Sequence, residues 1–141
     1  MPIYQCHSTQ RMLAKSAKGK IAGEITRIHC EATSEHPSFV NILFIDLPEG
    51  TSFSGGRSST RSFVMGEIRH GHDIQTRHAL LQELSRMWTR LTGQSEAELI
   101  VALKETPAEN ATQAGLIFAG PEHEQQWIDE NRSKLAEFGL L

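Results

Sequence analysis

Proline stands directly behind Met1, at the head of the stretch MPIYQCHSTQ. Ile3, Gln5 and His7 alternate there with Tyr4, Cys6 and Ser8, a period of two that predicts a β-strand. Proline has no N–H to give a strand ladder, but the first residue of a strand tolerates it. Pro2 is therefore a strand-starter at the least. If Met1 is cleaved, it is also a secondary amine, the one reactive group of its kind in the chain. His29 is the second candidate. It falls one position after Ile28 and four after Ile25, at the border of a buried helix face and near the helix C-terminus, where an imidazolium is favoured. The plainer reading is a border histidine satisfied by a backbone carbonyl. Arg69 closes a predicted strand and is followed by His70-Gly71. A guanidinium there is either an ordinary exposed strand end or a fork for bidentate capture of a carboxylate.

Other constellations fall short of a site. His70 and His72, with His78 six residues on, suggest a metal centre, but no cysteine or carboxylate cluster completes a tetrahedral set, and no metal or other cofactor is expected. Ser54-Gly55-Gly56-Arg57 resembles a phosphate loop, yet it leads into a strand and not into a helix N-terminus, so the stretch 51–61 reads as a flexible loop. There is no Gly-x-Ser-x-Gly elbow, and Cys30 has no recognisable partner motif.

The elements that must position these residues follow from periodicity. Ala14, Ala17, Ile21, Ile25, Ile28 and Ala32 recur at helical spacing. SFVNILFIDL reads as a buried strand ended by Pro48-Glu49-Gly50, and 62–70 returns to strand. Asp73 predicts a helix N-cap, Leu80, Leu84, Met87 and Leu91 the apolar stripe, and Gly93 the stop. A fourth strand covers 98–106. The order is two βαβ units in tandem, about 2–50 and 60–108, followed by a C-terminal segment, 109–141, with a helix from Pro121 to about Phe138. The fold class is α/β (α+β in some schemes): a four-stranded sheet with two helices on one face, each unit closed by a right-handed crossover. The other face needs a cover. Trp127, Leu135 and Phe138 give the last helix only a thin stripe for that purpose, so oligomerisation through sheet faces or edges is expected.

Length and composition fit that scheme. The 141 residues suit a single domain with one sizeable core. Net charge is −3, with Lys and Arg scattered, which argues against a nucleic-acid or anionic-membrane face. The apolar runs FVNILFIDL and LIVAL are too short to span a bilayer. No leader pattern precedes the first strand, and two cysteines, Cys6 and Cys30, read as reduced thiols, so a cytoplasmic setting is expected.

Taken together, Pro2, His29, Arg69 and the doubled βαβ pattern resemble the tautomerase superfamily, and within it cis-3-chloroacrylic acid dehalogenase and its homologues. The likeness runs from Pro2 to about Trp127. It includes Ser16-Ala17-Lys18, Ile25-Thr26, Phe53, Gly55-Gly56, Gly66, Gly71, Glu105, Pro107-Ala108, Gly115, Pro121 and His123-Glu124. The resemblance implies a homotrimer with sheets inward and helices outside. It also implies an amino-terminal proline as general base or acid, with His29 and Arg69 binding a small carboxylate substrate. An α-amino group titrates at about 8, and desolvation lowers that value, so a partly buried Pro2 amine could accept a proton at neutral pH. The departures matter as much. His72 stands where the dehalogenase has a second arginine, Ala102 where it has a tyrosine, and Gln113 where it has the glutamate that activates water. Gln113 is no base, though it could still touch substrate or position water, and a protonated His72 could help hold the carboxylate. What the resemblance implies is then keto–enol isomerisation of a small 2-oxo or enol acid through Pro2. A dehalogenase or hydratase of small unsaturated acids is the second reading. A non-enzymatic binder that keeps the fold is the third.

Overall fold

The computed structural model describes residues 1–141. The chain runs β1 (Ile3–Thr9), α1 (Lys15–Thr33), β2 (Asn41–Leu47), the pair β3 (Phe53–Ser54) and β4 (Arg57–Ser58), β5 (Ser62–Arg69) and α2 (Ile74–Thr92). It continues through β6 (Leu99–Thr106), the pair β7 (Thr112–Gln113) and β8 (Leu116–Ile117), and α3 (Glu124–Glu137). Four strands form one sheet in the order β2-β1-β5-β6. Within each βαβ unit the strands are parallel, β1 with β2 and β5 with β6. The units meet antiparallel across β1 and β5, with Tyr4 opposite Gly66. This register brings the head of β1 and the tail of β5 to the same end of the sheet. Pro2 and Arg69 are therefore neighbours by topology.

One face of the sheet carries both helices. Tyr4, Cys6, Val64 and Ile68 pack there against Ile21, Ile25 and Ile28 of α1 and Leu80, Leu84, Met87 and Trp88 of α2. These are the periodic positions of each element, and burial of that apolar surface is the main drive to this packing. Asp73 caps α2 by accepting from the Thr76 N–H at 2.7 Å, and Gly93 stops it at φ 75°. α1 starts without a side-chain cap and ends on Ser34 at φ 61°, a left-handed turn outside glycine's usual role.

Two expectations need correction. The stretch 51–61 is no plain loop. Phe53–Ser54 and Arg57–Ser58 pair as a small hairpin around Gly55 and Gly56, whose φ angles of 56° and 77° give the turn whose twist suits a two-residue hairpin. A second such hairpin, β7–β8, turns at Ala114 and Gly115. Nor does α3 cover the open face of the sheet. Its Trp127, Ile128 and Leu135 build a separate core with Met1, Phe39, Ala108 and Phe118 at the end of the sheet where β1 begins, while Phe138 stays exposed. Leu43, Met65 and Ile100 on the open face remain 41–50% exposed. No helix is long and apolar enough to cross a membrane.

Candidate active site

At the end of the sheet where β1 begins, four elements converge on one buried cluster. Pro2 lies buried ahead of β1, and its carbonyl accepts from the Asn41 N–H of β2 at 2.9 Å. His29, one turn before the end of α1, is fully buried. Its Nδ1 lies 2.9 Å from the Tyr4 hydroxyl of β1. With the hydroxyl as donor, Nε2 carries the proton and faces inward. Arg69, the last residue of β5, is 1% exposed. Its Nη1 donates to the Ala119 carbonyl at 2.9 Å, its Nη2 pairs with Glu124 at the start of α3, and its guanidinium lies 5.7 Å from the Phe118 ring centroid.

Glu35 stands at the centre. The left-handed Ser34 cap turns the chain directly after α1, and the Glu35 carboxylate is sealed from solvent. One oxygen lies 3.0 Å from His72 Nε2. The other lies 2.9 Å from Arg69 Nη2 and 3.4 Å from His29 Nε2. The last two are contacts of charge without hydrogen-bond alignment, and Glu35 Oε2, His29 Nε2 and Arg69 Nε make no aligned hydrogen bond. Burial would push the Glu35 carboxyl up, but the neighbouring imidazoles of His29 and His72 and the Arg69 charge outweigh it and hold it far below the usual carboxylate range. Burial and the same carboxylate push the Tyr4 phenol up. Apart from the imidazoles, the cluster counts one guanidinium against two carboxylates.

The chain's α-amino group belongs to this environment. Burial lowers the Met1 amine from 8.0 to about 5, Arg69 adds to that, and Glu35 opposes it in part. An amine at this place is thus neutral at pH 7. The Met1 side chain is buried in the aromatic core beside it, where Phe118 and Trp127 stack with centroids 5.2 Å apart and Phe39 meets both rings edge-on.

Of the residues singled out from the sequence, the structure brings Pro2, His29, Arg69 and His72 together. It does not bring Gln113, which lies half-buried in β7 without a hydrogen bond to any of them. Ala102 sits in mid-β6, opposite Met65. The three histidines of the metal reading are dispersed: His72 faces Glu35, His70 is 70% exposed beside Glu105, and His78 is exposed on α2. Glu35 and Glu124 were not singled out as site residues. The signal for them was indirect, since an arginine at the buried end of a strand requires a counter-charge.

Residues 1–132 match the family Tautomerase_3, described as "Putative oxalocrotonate tautomerase enzyme". No curated protein matches the chain. Among solved structures, the native protein Ps01740 is 31% identical over 79% of this chain and 99% of its own, with a TM-score of 0.77. N1, a member of the cis-3-chloroacrylic acid dehalogenase family, is 21% identical over 96% of this chain and 99% of its own, with a TM-score of 0.89. A fused 4-OT wild-type asymmetric trimer is 18% identical over 82% and 94%, with a TM-score of 0.76. These likenesses agree with the tandem βαβ units, and the family match spans nearly the whole chain: it belongs to the tautomerase superfamily.

Proposed function

We propose that this protein is a keto–enol tautomerase of a small 2-oxo carboxylic acid, with Pro2 as its acid–base group once Met1 has been removed. The observation that carries the reading is the place of the amino terminus: burial and Arg69 lower the Met1 amine to about 5, and Pro2, the next residue, is buried at the same end of the sheet. Beside it, Arg69, His29 and His72 converge on one carboxylate, that of Glu35, and so form a receptor of the right chemistry for a substrate carboxylate that shares or displaces it. The neutral prolyl nitrogen takes the proton of the enol hydroxyl, and the ammonium so formed delivers a proton to C3. One O–H bond breaks, one C–H bond forms, and no oxidant or water enters. Placing the enol against the amine supplies the proximity term of the catalysis.

Water addition has weaker support. Glu35 and Glu124 are both ion-paired to Arg69, and Glu35, held far below the usual carboxylate range, is a poor base. A 2-oxo acid as ligand also agrees with Pt0534, a solved structure of the same fold at 23% identity that is inactivated by 2-oxo-3-pentynoate. The exposed apolar face of the sheet, and the trimeric assembly of the fused 4-OT proteins, support a homotrimer.

The test is intact mass of the purified native protein, followed by ketonisation of phenylenolpyruvate with and without Pro2→Ala. The expected result is a mass lacking methionine and a fall in kcat/KM of at least about 100-fold in the variant. Retained methionine on active protein, or activity indifferent to Pro2→Ala, overturns the mechanism.

A further inference from the structure

We infer that the substrate is a monocarboxylate bearing an apolar side chain, and that a dicarboxylate such as oxalocrotonate is disfavoured. The inference rests on the tautomerase reading and goes on to name the substrate class. Two independent observations carry it.

The first is the charge of the site. Arg69 is the only permanent cation in the cluster, and it already faces Glu35 and Glu124. His29 and His72 both face Glu35. The next cation outward, Arg77, donates to the His72 carbonyl at 2.6 Å and lies 3.4 Å from Glu105. One substrate carboxylate can take its turn at the Arg69–His29–His72 receptor. A second would find two buried negative charges and no unused cation, and desolvating it there is costly.

The second is what Met1 occupies. Its side chain, 7% exposed, is buried in the cluster that holds Phe39, Phe118 and Trp127. Phe118 also lies under the Arg69 guanidinium, so the aromatic core is continuous with the charged cluster. The core offers no spare donor, because the Trp127 indole N–H already donates to the Ile117 carbonyl at 2.8 Å. Cleavage of Met1 therefore does two things at once. It exposes the prolyl amine, and it withdraws an apolar side chain from a ring-lined space beside that amine. A substituent at C3 of the substrate, aryl or branched alkyl, fits that space by size and polarity. A carboxylate would be left there unpaired.

The experiment compares processed protein on two enols, phenylenolpyruvate and 2-hydroxymuconate, the dicarboxylate enol of oxalocrotonate, at matched pH and salt. The expected result is a preference of at least about tenfold in kcat/KM for the aryl monocarboxylate, reduced by Phe118→Leu through KM more than kcat. Equal or greater turnover of the dicarboxylate overturns the inference while leaving the tautomerase reading intact. If neither enol is turned over, the tautomerase reading fails on its own. Calorimetric titration of the same protein with phenylacetate and with succinate then decides: tighter binding of phenylacetate upholds the apolar monocarboxylate site, and equal or weaker binding ends it.

Discussion

Arg69 faces two carboxylates with one charge, and that imbalance governs what single substitutions do. Glu35→Gln removes one negative charge yet keeps side-chain size, and Arg69 retains Glu124. On the proposed mechanism a substrate carboxylate then competes with Glu124 alone for Arg69, and with no carboxylate for His29 and His72. KM should fall by about three- to tenfold with kcat little changed, the order of a single charge-assisted contact. Because Glu35 raises the neighbouring amine, the acidic limb of the rate profile should also move down. Steady-state kinetics from pH 4.5 to 8 check both. Arg69→Leu has the opposite character. It strands Glu35 and Glu124 in a buried place and should cost about 3–5 kcal/mol, measured by urea unfolding. Pro2, His29, Arg69 and His72 were legible as candidates because residue type and position along an element suffice to nominate them. Glu35 was not. Two residues past a helix end, a glutamate reads as solvated, and only the tertiary meeting of four elements makes it the centre of the site.

The elements themselves were legible wherever their cause is local. The apolar stripes of α1 and α2, the Asp73 cap and the Gly93 stop are set by residues a turn or two apart, and periodicity alone finds them. The β3–β4 hairpin was harder. Its strands are two residues each, and only Gly55-Gly56 signals the turn. α3 was placed in sequence but not in space, because its stripe does not say which surface receives it. Gly66 shows how an element fixes a distant side chain. Tyr4 lies opposite it across β1 and β5, and a Cβ on Gly66 would come within 2.6 Å of the Tyr4 ring and 2.7 Å of Leu103. The Tyr4 ring is fully buried, with its hydroxyl on His29, so it has little room to move away. Gly66→Ala should therefore cost about 1–3 kcal/mol, the range for overpacking a core, in urea denaturation. It should also disturb the Tyr4–His29 contact and raise KM.

At the scale of the whole molecule, the two faces of the sheet behave differently and the amino terminus joins two cores. The open face presents Leu43, Met65 and Ile100, so a homotrimer built on it should dissociate when Met65→Lys places a charge there, as sedimentation equilibrium would show. The terminus has a thermodynamic signature of its own. In protein that retains Met1, the amine titrates at about 5 when folded against 8.0 in the open chain. Between those values the unfolded state binds a proton that the folded state does not, so stability rises with pH from 5 to 8 and levels off above. Three units correspond to about 4 kcal/mol. Glu35 contributes nothing to this slope, because its depressed value yields stability that is complete above 4.5 and lost only as pH falls below it. The comparison must hold every other ionisable group constant. Urea unfolding of Met1-retaining protein at pH 5, 6.5 and 8, set against the same protein acetylated at its α-amino group, does so. The unmodified form should gain about 3 kcal/mol more than the acetylated one from pH 5 to 8, the ends of the titration lying outside that range. Parallel curves would mean that the amine is solvated in the folded chain. An amine with full access to water would have no reason to be neutral at pH 7, and the acid–base role given to this end of the chain would lose its physical basis.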